Sequence, residues 1–411
     1  MIASTFASLP PWLVILAPKL VTAAFVFAFG ACVGSFLNVV AHRLPAGRSV
    51  VSPPSRCPQC GWRLSWHENL PIVGWLILRG RCRRCHSPIS IQYPLIELVV
   101  AVLFAGTYLV FYAVPEDSAL GQIGSRWWSL GGFGSTWPAF AVVMTMVGGL
   151  VVATLIDART FLIPAQITNV MLIVALFGWL LQGLIPPIPS VVLVEADGRG
   201  PLPGVDGHVA GLVFGALLGN IVAIALLWSG RIPRSFDDYE EYVTDDAPLA
   251  EYPHGRREMG KELVFLLPIL IGGALGWFVA ESLATATDGP PRVVGLLASS
   301  GLGFLVGGGL VWGIRILGTL AFGREAMGMG DVHLLAAVGA ALGWADPIRI
   351  FFIAPFLALA WIAGGRLISM FRGARGRELP YGPHLAAATL VVLYARPWLE
   401  AFERSLLWPP G

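Results

Sequence analysis

The residues best placed to do chemistry are two aspartates and four cysteines, widely separated along the chain. Asp331 follows Gly328-Met329-Gly330 in "REAMGMGDVHLLAAVGAALGW" (324–344), at the threshold of an apolar run. Asp157 stands in "LIDARTFLIPAQIT" (155–168), where one apolar segment ends and Pro164 helps open the next. An ionised side chain is costly at the middle of a bilayer and far less so near its surface. Two neighbouring carboxyl groups cannot both ionise cheaply, so they share a proton and titrate as a pair. One can then serve as general base on a water while its protonated partner polarises a scissile carbonyl. Gly328 and Gly330 would let the backbone turn sharply or let an extended substrate approach. A lone acid at a span end is more often a helix cap or an interfacial residue, so the case rests on the two being brought together. Proton-coupled transport, the rival use of paired acids, places them nearer the bilayer midplane.

The second constellation is "CPQCGWRLSWHENLPIVGWLILRGRCRRC" (57–85), in which Cys57, Cys60, Cys82 and Cys85 form two C-x2-C pairs. That pattern reads as a tetrahedral four-thiolate zinc site. Two disulfides are the alternative, disfavoured if the loop faces a reducing cytoplasm. With four thiolates the coordination is closed and the metal structural; His67 and His86 could substitute as ligands, but no position is left for them. Arg56, Arg81, Arg83 and Arg84 are expected to favour the thiolate forms. The fifth cysteine, Cys32, lies in an apolar segment and reads as a small buried hydrophobe.

The elements that must position these residues are membrane helices. Of 411 residues, 56% are hydrophobic and only 13% charged, against about a quarter charged in soluble proteins. The apolar segments give an all-α polytopic membrane protein of about ten spans: roughly 20–41, 94–114, 136–156, 163–185, 208–229, 263–284, 292–314, 331–346, 349–366 and 383–401. No Lys or Arg precedes Lys19, so the first run reads as a retained span. The eighth is short and rich in Gly and Ala, suited to tilting or to close packing.

Residues 42–92 carry eight Arg, no Lys and a single acid, Glu68. The positive-inside rule puts this loop in the cytoplasm. Alternation then places the 157–162 turn, the 230–262 loop, the 315–330 segment and the basic 366–382 loop on the same side, and the Lys/Arg-poorer 115–135 and 186–206 segments outside. An even number of spans, four, separates Asp157 from Asp331, so both fall at the cytoplasmic face. The acidic 236–246 run reads as a solvated surface.

Together these motifs resemble the type IV prepilin peptidases, or leader peptidase/N-methyltransferases, a GxGD-type aspartyl protease family. The resemblance runs through "GACVGSFLNVVAHRLP" (30–45), the CxxC pairs, "ISIQYPLIELVVA" (89–101), Asp157, "AMGMGDVHLLAAVGAALGW" (326–344) and "LPYGPHLAAA" (379–388). It implies a peptidase that cuts a short basic leader after a Gly, just before the substrate's apolar helix. The substrates would be pilin or pseudopilin precursors of type IV pilus or type II secretion systems. Asp157 and Asp331 are its catalytic pair, with Gly328, Gly330 and His333 in support. It further implies N-methylation of the new terminus from S-adenosylmethionine, for which Glu97 is the weak candidate contact, an interfacial helix-start acid being the alternative. No Gly-rich fingerprint for that cofactor is present. Asn38 and Arg43 could be structural. The implied location is the bacterial inner membrane, with active site and zinc loop facing the cytoplasm, prepilins and lipid as partners, and no nucleic acid. The alternatives are a peptidase-only member, or a non-catalytic or transport-type membrane protein stabilised by a zinc loop.

Three departures stand out. Ala165 replaces a common Asp after the Pro of the first catalytic motif, and His333 replaces a common Lys. The separation 331 − 157 = 174 positions is unusually long. The expected organisation is therefore an N-terminal methyltransferase-associated region (20–114), a peptidase domain (136–401), and within it an insertion (186–320) with two extra spans and the 230–262 loop. "RREMGKE" (256–262) faintly echoes "GREAMGMGD" (323–331).

Overall fold

The computed structural model describes residues 11–115, 117–196, 200–242, 252–283, 289–372 and 380–407. Residues 243–246 of the acidic run, 197–199 of the 186–206 segment and 373–379 of the basic loop lie outside the described residues. Thirteen helices follow one another among the described residues: α1 (Pro11–Arg43), α2 (Val73–Ile77), α3 (Gln92–Tyr112), α4 (Ser125–Thr160), α5 (Ala165–Leu184), α6 (Pro189–Ala196), α7 (Gly207–Trp228), α8 (Tyr239–Tyr242), α9 (Gly255–Leu283), α10 (Arg292–Phe322), α11 (Met329–Leu342), α12 (Ala345–Arg372) and α13 (Gly382–Leu407). Nine of the described helices are long and apolar enough to cross a membrane, which makes this a multi-pass membrane protein.

The eighth expected span is α11, whose 14 residues extend only about 21 Å, short of the roughly 30 Å hydrocarbon core. It ends at Leu342 rather than 346, because Gly343 leaves the helix at φ +89°. Its residues Val332 and Leu334–Leu342 are all buried, as a short Gly/Ala helix enclosed by neighbours requires. Other boundaries shift as well. Helix α4 begins at Ser125, inside the segment expected to be a loop, with a break at Gly132 (φ 65°, ψ 161°). The 186–206 segment contains α6, pinned where Glu195 pairs with Arg292 at 3.0 Å and accepts the Trp127 indole N–H at 2.9 Å.

A hydrocarbon solvent gives helices no hydrophobic reason to associate, so close backbone packing and interhelical hydrogen bonds do the work. Helix α1 lies antiparallel on α3: a Cβ on Gly30 would stand 2.9 Å from the Ala101 Cα, and one on Gly34 2.7 Å from the Glu97 Cα. Helices α7 and α9 meet through Gly211, Gly215 and Gly219 against Gly276, Gly272 and Pro268, where any side chain would strike the facing carbonyl. Helix α10 meets α11 the same way, through Gly303 and Gly307. The Ala340 carbonyl of α11 accepts from Trp179 of α5 at 3.1 Å and from Ser300 of α10 at 2.7 Å.

The resulting bundle has α4, α5, α10, α11, α12 and α13 at its centre. Helices α1 and α3 flank it against α4, and the α7–α9 hairpin flanks it against α10. Phe25, Phe29, Leu270, Phe278, Phe352 and Phe356 remain exposed on the outside, the arrangement a lipid-facing surface demands. Cys32 is exposed on α1, not buried as expected. Its apolar surroundings are the lipid side of the helix, which hydropathy alone does not separate from a protein interior.

Candidate active site and metal-binding loop

Asp157 occupies the last turn of α4 and is 5% exposed. The helix stops because Phe161 adopts a left-handed conformation (φ 54°) and donates its N–H to the Asp157 carbonyl at 2.9 Å. Three residues later Pro164, extended at ψ 129°, caps α5. The intervening Ile163 side chain packs between two glycines: a Cβ on Gly330 would lie 3.0 Å from it, and one on Gly382 3.1 Å. The Gly382 N–H donates to Asp157 Oδ2 at 2.9 Å, and a Cβ there would come within 2.6 Å of the same oxygen.

Asp331 lies in the first turn of α11, partly exposed, its N–H donating to the Gly328 carbonyl at 3.2 Å. It is within electrostatic reach of Asp157 and of Tyr381, and Asp157 is within reach of His384. The fold thus brings the two aspartates together with the start of α13. Sequence reasoning noted "LPYGPHLAAA" but gave its residues no role; a Tyr-Gly pair opening a helix carries no signal that its N–H meets an acid from 225 positions away.

The glycines of the GMGD turn act by close approach. Neither Gly328 nor Gly330 has a positive φ, and Gly330 is the one that admits Ile163. His333 is exposed, and Ala165 is exposed too.

The segment preceding the turn is held by buried charge. Arg315, 2% exposed, donates to Glu262 Oε1 through Nε at 3.3 Å and Nη2 at 3.2 Å, and through Nη1 to Glu325 and to the Met327 carbonyl. The Trp312 indole donates to Glu262 Oε2 at 2.6 Å. Arg256 donates to the Leu320 carbonyl at 2.9 Å, satisfying an end of α10. The "RREMGKE" and "GREAMGMGD" segments, similar in sequence, are therefore bridged by Arg315.

In the 44–91 loop the four cysteines converge, with all their Sγ atoms within 4.8 Å of one another. Cys57 and Cys85 are 3.8 Å apart and Cys60 and Cys82 3.9 Å, nearly twice a disulfide's roughly 2.05 Å. Each C-x2-C pair sits in the same small turn. Cys57 N–H donates to the Trp62 carbonyl at 2.8 Å and Cys82 N–H to the Ser87 carbonyl at 2.9 Å. The residue after each pair takes a positive φ, 70° at Gly61 and 57° at His86. The Cys57 thiol is pushed down to about 6, first by the backbone N–H of Cys60 and then by the Ser87 hydroxyl. Ser87 likewise lowers Cys85. For Cys60 the Trp62 N–H pulls down, but burial and the other three thiols outweigh it and push it up to about 11. Four thiols so placed suit a cation at their centre. Two of the four arginines expected to do this work are engaged elsewhere: Arg84 stacks over Trp62 at 5.4 Å, and Arg83 faces Glu68 and His67. Neither His67 nor His86 belongs to the cluster.

Glu97 is 8% exposed and accepts the Ile72 N–H at 2.6 Å. Ile72 has φ 61° and ψ −54°, with Val73 N–H bonded back to the Pro71 carbonyl; this is a γ-turn of the strained kind, rare for a β-branched residue. Glu97 thereby ties the loop to α3. Asn38 ties α1 to α3 through the Tyr93 carbonyl at 3.2 Å, and Arg43 donates to the Ser49 carbonyl at 3.2 Å.

An apolar groove of about 820 Å³ opens between α1, α4 and α5, lined by Phe25, Phe29, Phe36, Trp137 and Met144 and ending near Leu44 and Gln166.

Residues 28–111 match the bacterial peptidase A24 N-terminal domain. Over 82 residues the chain is 57% identical to the prepilin leader peptidase/N-methyltransferase of Myxococcus xanthus (strain DK1622), covering 20% of this chain and 24% of that protein. Similarity to the Aeromonas hydrophila protein of the same name is 28% identity across 408 residues, or 93% of both chains. The Klebsiella pneumoniae protein of that name is 36% identical over 152 residues, 35% of this chain and 56% of the relative. No solved structure matches. Residues 28–111 thus resemble the peptidase A24 N-terminal domain, and along nine tenths of its length the chain is similar to proteins named prepilin leader peptidase/N-methyltransferase.

Proposed function

We propose that the chain is a membrane aspartyl endopeptidase that removes the leader of prepilin-like precursors and then N-methylates the exposed terminus. The convergence of Asp157 and Asp331 beside the Gly382 N–H carries the peptidase half. One carboxylate takes a proton from water as its oxygen attacks the scissile carbonyl carbon. The other, protonated, donates to the carbonyl oxygen, and the pair returns a proton to the leaving nitrogen as the C–N bond breaks. Gly382 N–H fixes the Asp157 carboxylate in one orientation throughout.

The pair lies at helix ends, at the face where the arginine-rich loop emerges. Placing that face in the cytoplasm of the inner membrane follows from the positive-inside rule. A substrate whose basic leader stays inside while its apolar helix lies in the bilayer then presents its bond at this depth. The apolar groove beside α4 supports such a helical occupant.

The metal is zinc in this reading: Zn–S bonds of about 2.3 Å span tetrahedral S···S edges of about 3.8 Å, which the 3.8 and 3.9 Å separations reproduce. Cys57, Cys60, Cys82 and Cys85 would hold it, and its role is to close the loop. S-adenosylmethionine, when bound, supplies an electrophilic methyl group to the new amine.

Co-expression with a pilin-like precursor tests the pair. Asp157→Asn and Asp331→Asn should each lower leader cleavage by at least about 10³-fold; continued processing by both would sink the assignment. Mass spectrometry of the mature substrate reads the second activity, and an unmodified amine with the methyl donor present would remove it.

A further inference from the structure

The methyl-transfer half of the proposed function still lacks a pocket, and Glu97 is committed to the Ile72 N–H. The arginine-rich loop has one other acid. Glu68 is 7% exposed, and its Oε2 accepts the Ser65 N–H at 2.8 Å and the Ser65 hydroxyl at 2.6 Å. Its Oε1 is equally buried and has no hydrogen-bond partner of normal length, although the Trp62 side chain also lies within interaction range of the carboxylate. The nearest charge, Arg83 Nη1, stands 3.8 Å away, beyond hydrogen-bond length. A buried carboxylate oxygen left without a donor is costly, and such an atom calls for a reason.

The reason is what Glu68 faces. Together with His67, Gly74, Ile77, Leu78 and Arg83 it lines a cavity of about 340 Å³. Gly74 lies against the backbone of Glu68, where a Cβ would strike its carbonyl, so that wall is fixed. Ile77 and Leu78 make an apolar side. Arg83, its side chain 63% exposed, keeps donors free for a second anion. One wall therefore offers an acceptor for a cation, the rim offers a cation for a carboxylate, and an apolar strip lies between. That is the complement of an α-amino-acid zwitterion carrying an aliphatic chain.

We propose that this cavity receives the methionine head of S-adenosylmethionine, its ammonium on Glu68 Oε1 and its carboxylate on Arg83. The proposal rests on the methyl-transfer reading above. The volume is at the small end of ligand sites, roughly 300–1,000 Å³, enough for the head, with the nucleoside left to the surface beside Trp66, which is 79% exposed.

The test is calorimetric titration of the full-length, zinc-loaded protein in detergent. Two probes are used: S-adenosylhomocysteine, which has the head, and 5′-methylthioadenosine, which lacks it. Glu68→Gln retains an oxygen for Ser65 but not the charge. It should weaken S-adenosylhomocysteine about 10-fold while leaving 5′-methylthioadenosine within about 2-fold, and Arg83→Gln should act in the same direction. Equal S-adenosylhomocysteine affinity in wild type and Glu68→Gln would overturn the pocket. So would a parallel loss of both probes, which would mark distortion of the loop. Failure of the wild type to bind S-adenosylhomocysteine would instead remove the methyl-transfer reading, and the pocket's ligand with it.

Discussion

At the scale of single residues, the proposed active site depends on an atom that carries no side chain. Gly382 serves twice: its N–H holds Asp157 Oδ2, and its missing Cβ leaves room for that oxygen. Gly382→Ala would force a carbon to about 2.6 Å from the carboxylate, well inside contact distance. It should lower leader cleavage by roughly 10–100-fold through misorientation of the acid, with helix content unchanged by circular dichroism. Retention of full activity would show that the Gly382 contact is dispensable. His86 offers the reverse case. It occupies at φ 57° the position that Gly61 fills at φ 70° in the first metal turn. A left-handed conformation costs a non-glycine residue about 1–2 kcal/mol, so His86→Gly should hold its metal more tightly, read as a higher chelator concentration for half-release.

At the scale of elements, the GMGD turn is not free-standing. Helix α9 reaches it through Glu262 and Arg315, and Arg315 ends on the Met327 carbonyl, two residues before α11 begins. Helix α9 belongs to the segment expected to be an insertion, which gives that segment a positioning role beside the proposed catalytic aspartate. Removing one partner of a buried ion pair costs about 3–5 kcal/mol, whereas replacing both by apolar residues of similar volume is often neutral. Arg315→Met alone should therefore destabilise the protein. The Arg315→Met/Glu262→Met double variant should recover the melting temperature yet remain at least about 10-fold slow in kcat for leader cleavage, with KM little changed. Full cleavage activity in the stable double variant would reduce the network to a packing device.

At the scale of the whole molecule, the metal loop and the aspartate pair are built on different helices. The loop hangs between α1 and α3, which pack on α4, while the pair is assembled from α4, α11 and the start of α13. Chelation of the metal should open the 44–91 loop to trypsin at Arg79, Arg81 and Arg83. Methylation should fall by more than about 10-fold, and leader cleavage by less than about 3-fold. An equal loss of both would mean the two functions share one cooperative unit.

Much of this was legible without coordinates. Nine of the ten expected spans followed from apolar runs, because a bilayer admits only fully hydrogen-bonded spans. The four cysteines announced their convergence by spacing alone. The common depth of Asp157 and Asp331 followed from an even count of spans between them, a conclusion that survives errors in every boundary. The end of α11 at Leu342, the exposure of Cys32 and the helix within 186–206 were not legible. Each depends on which neighbour a face meets, and hydropathy is the same toward lipid as toward a packed helix.

What the sequence determined by itself was composition, periodicity and order: a polytopic α-helical protein, a four-cysteine loop able to hold a metal and two acids at helix ends on one face. The tertiary structure alone decided which partners those residues take. Gly382 donates to Asp157, the Cys60 N–H and then Ser87 lower the Cys57 thiol, and Glu97 accepts from Ile72 while Glu68 Oε1 is left without a hydrogen bond of normal length. The physical reason is range. Hydropathy and thiol spacing are written locally along the chain. Hydrogen bonds and electrostatic contacts act over a few ångströms, between groups that only packing brings within reach.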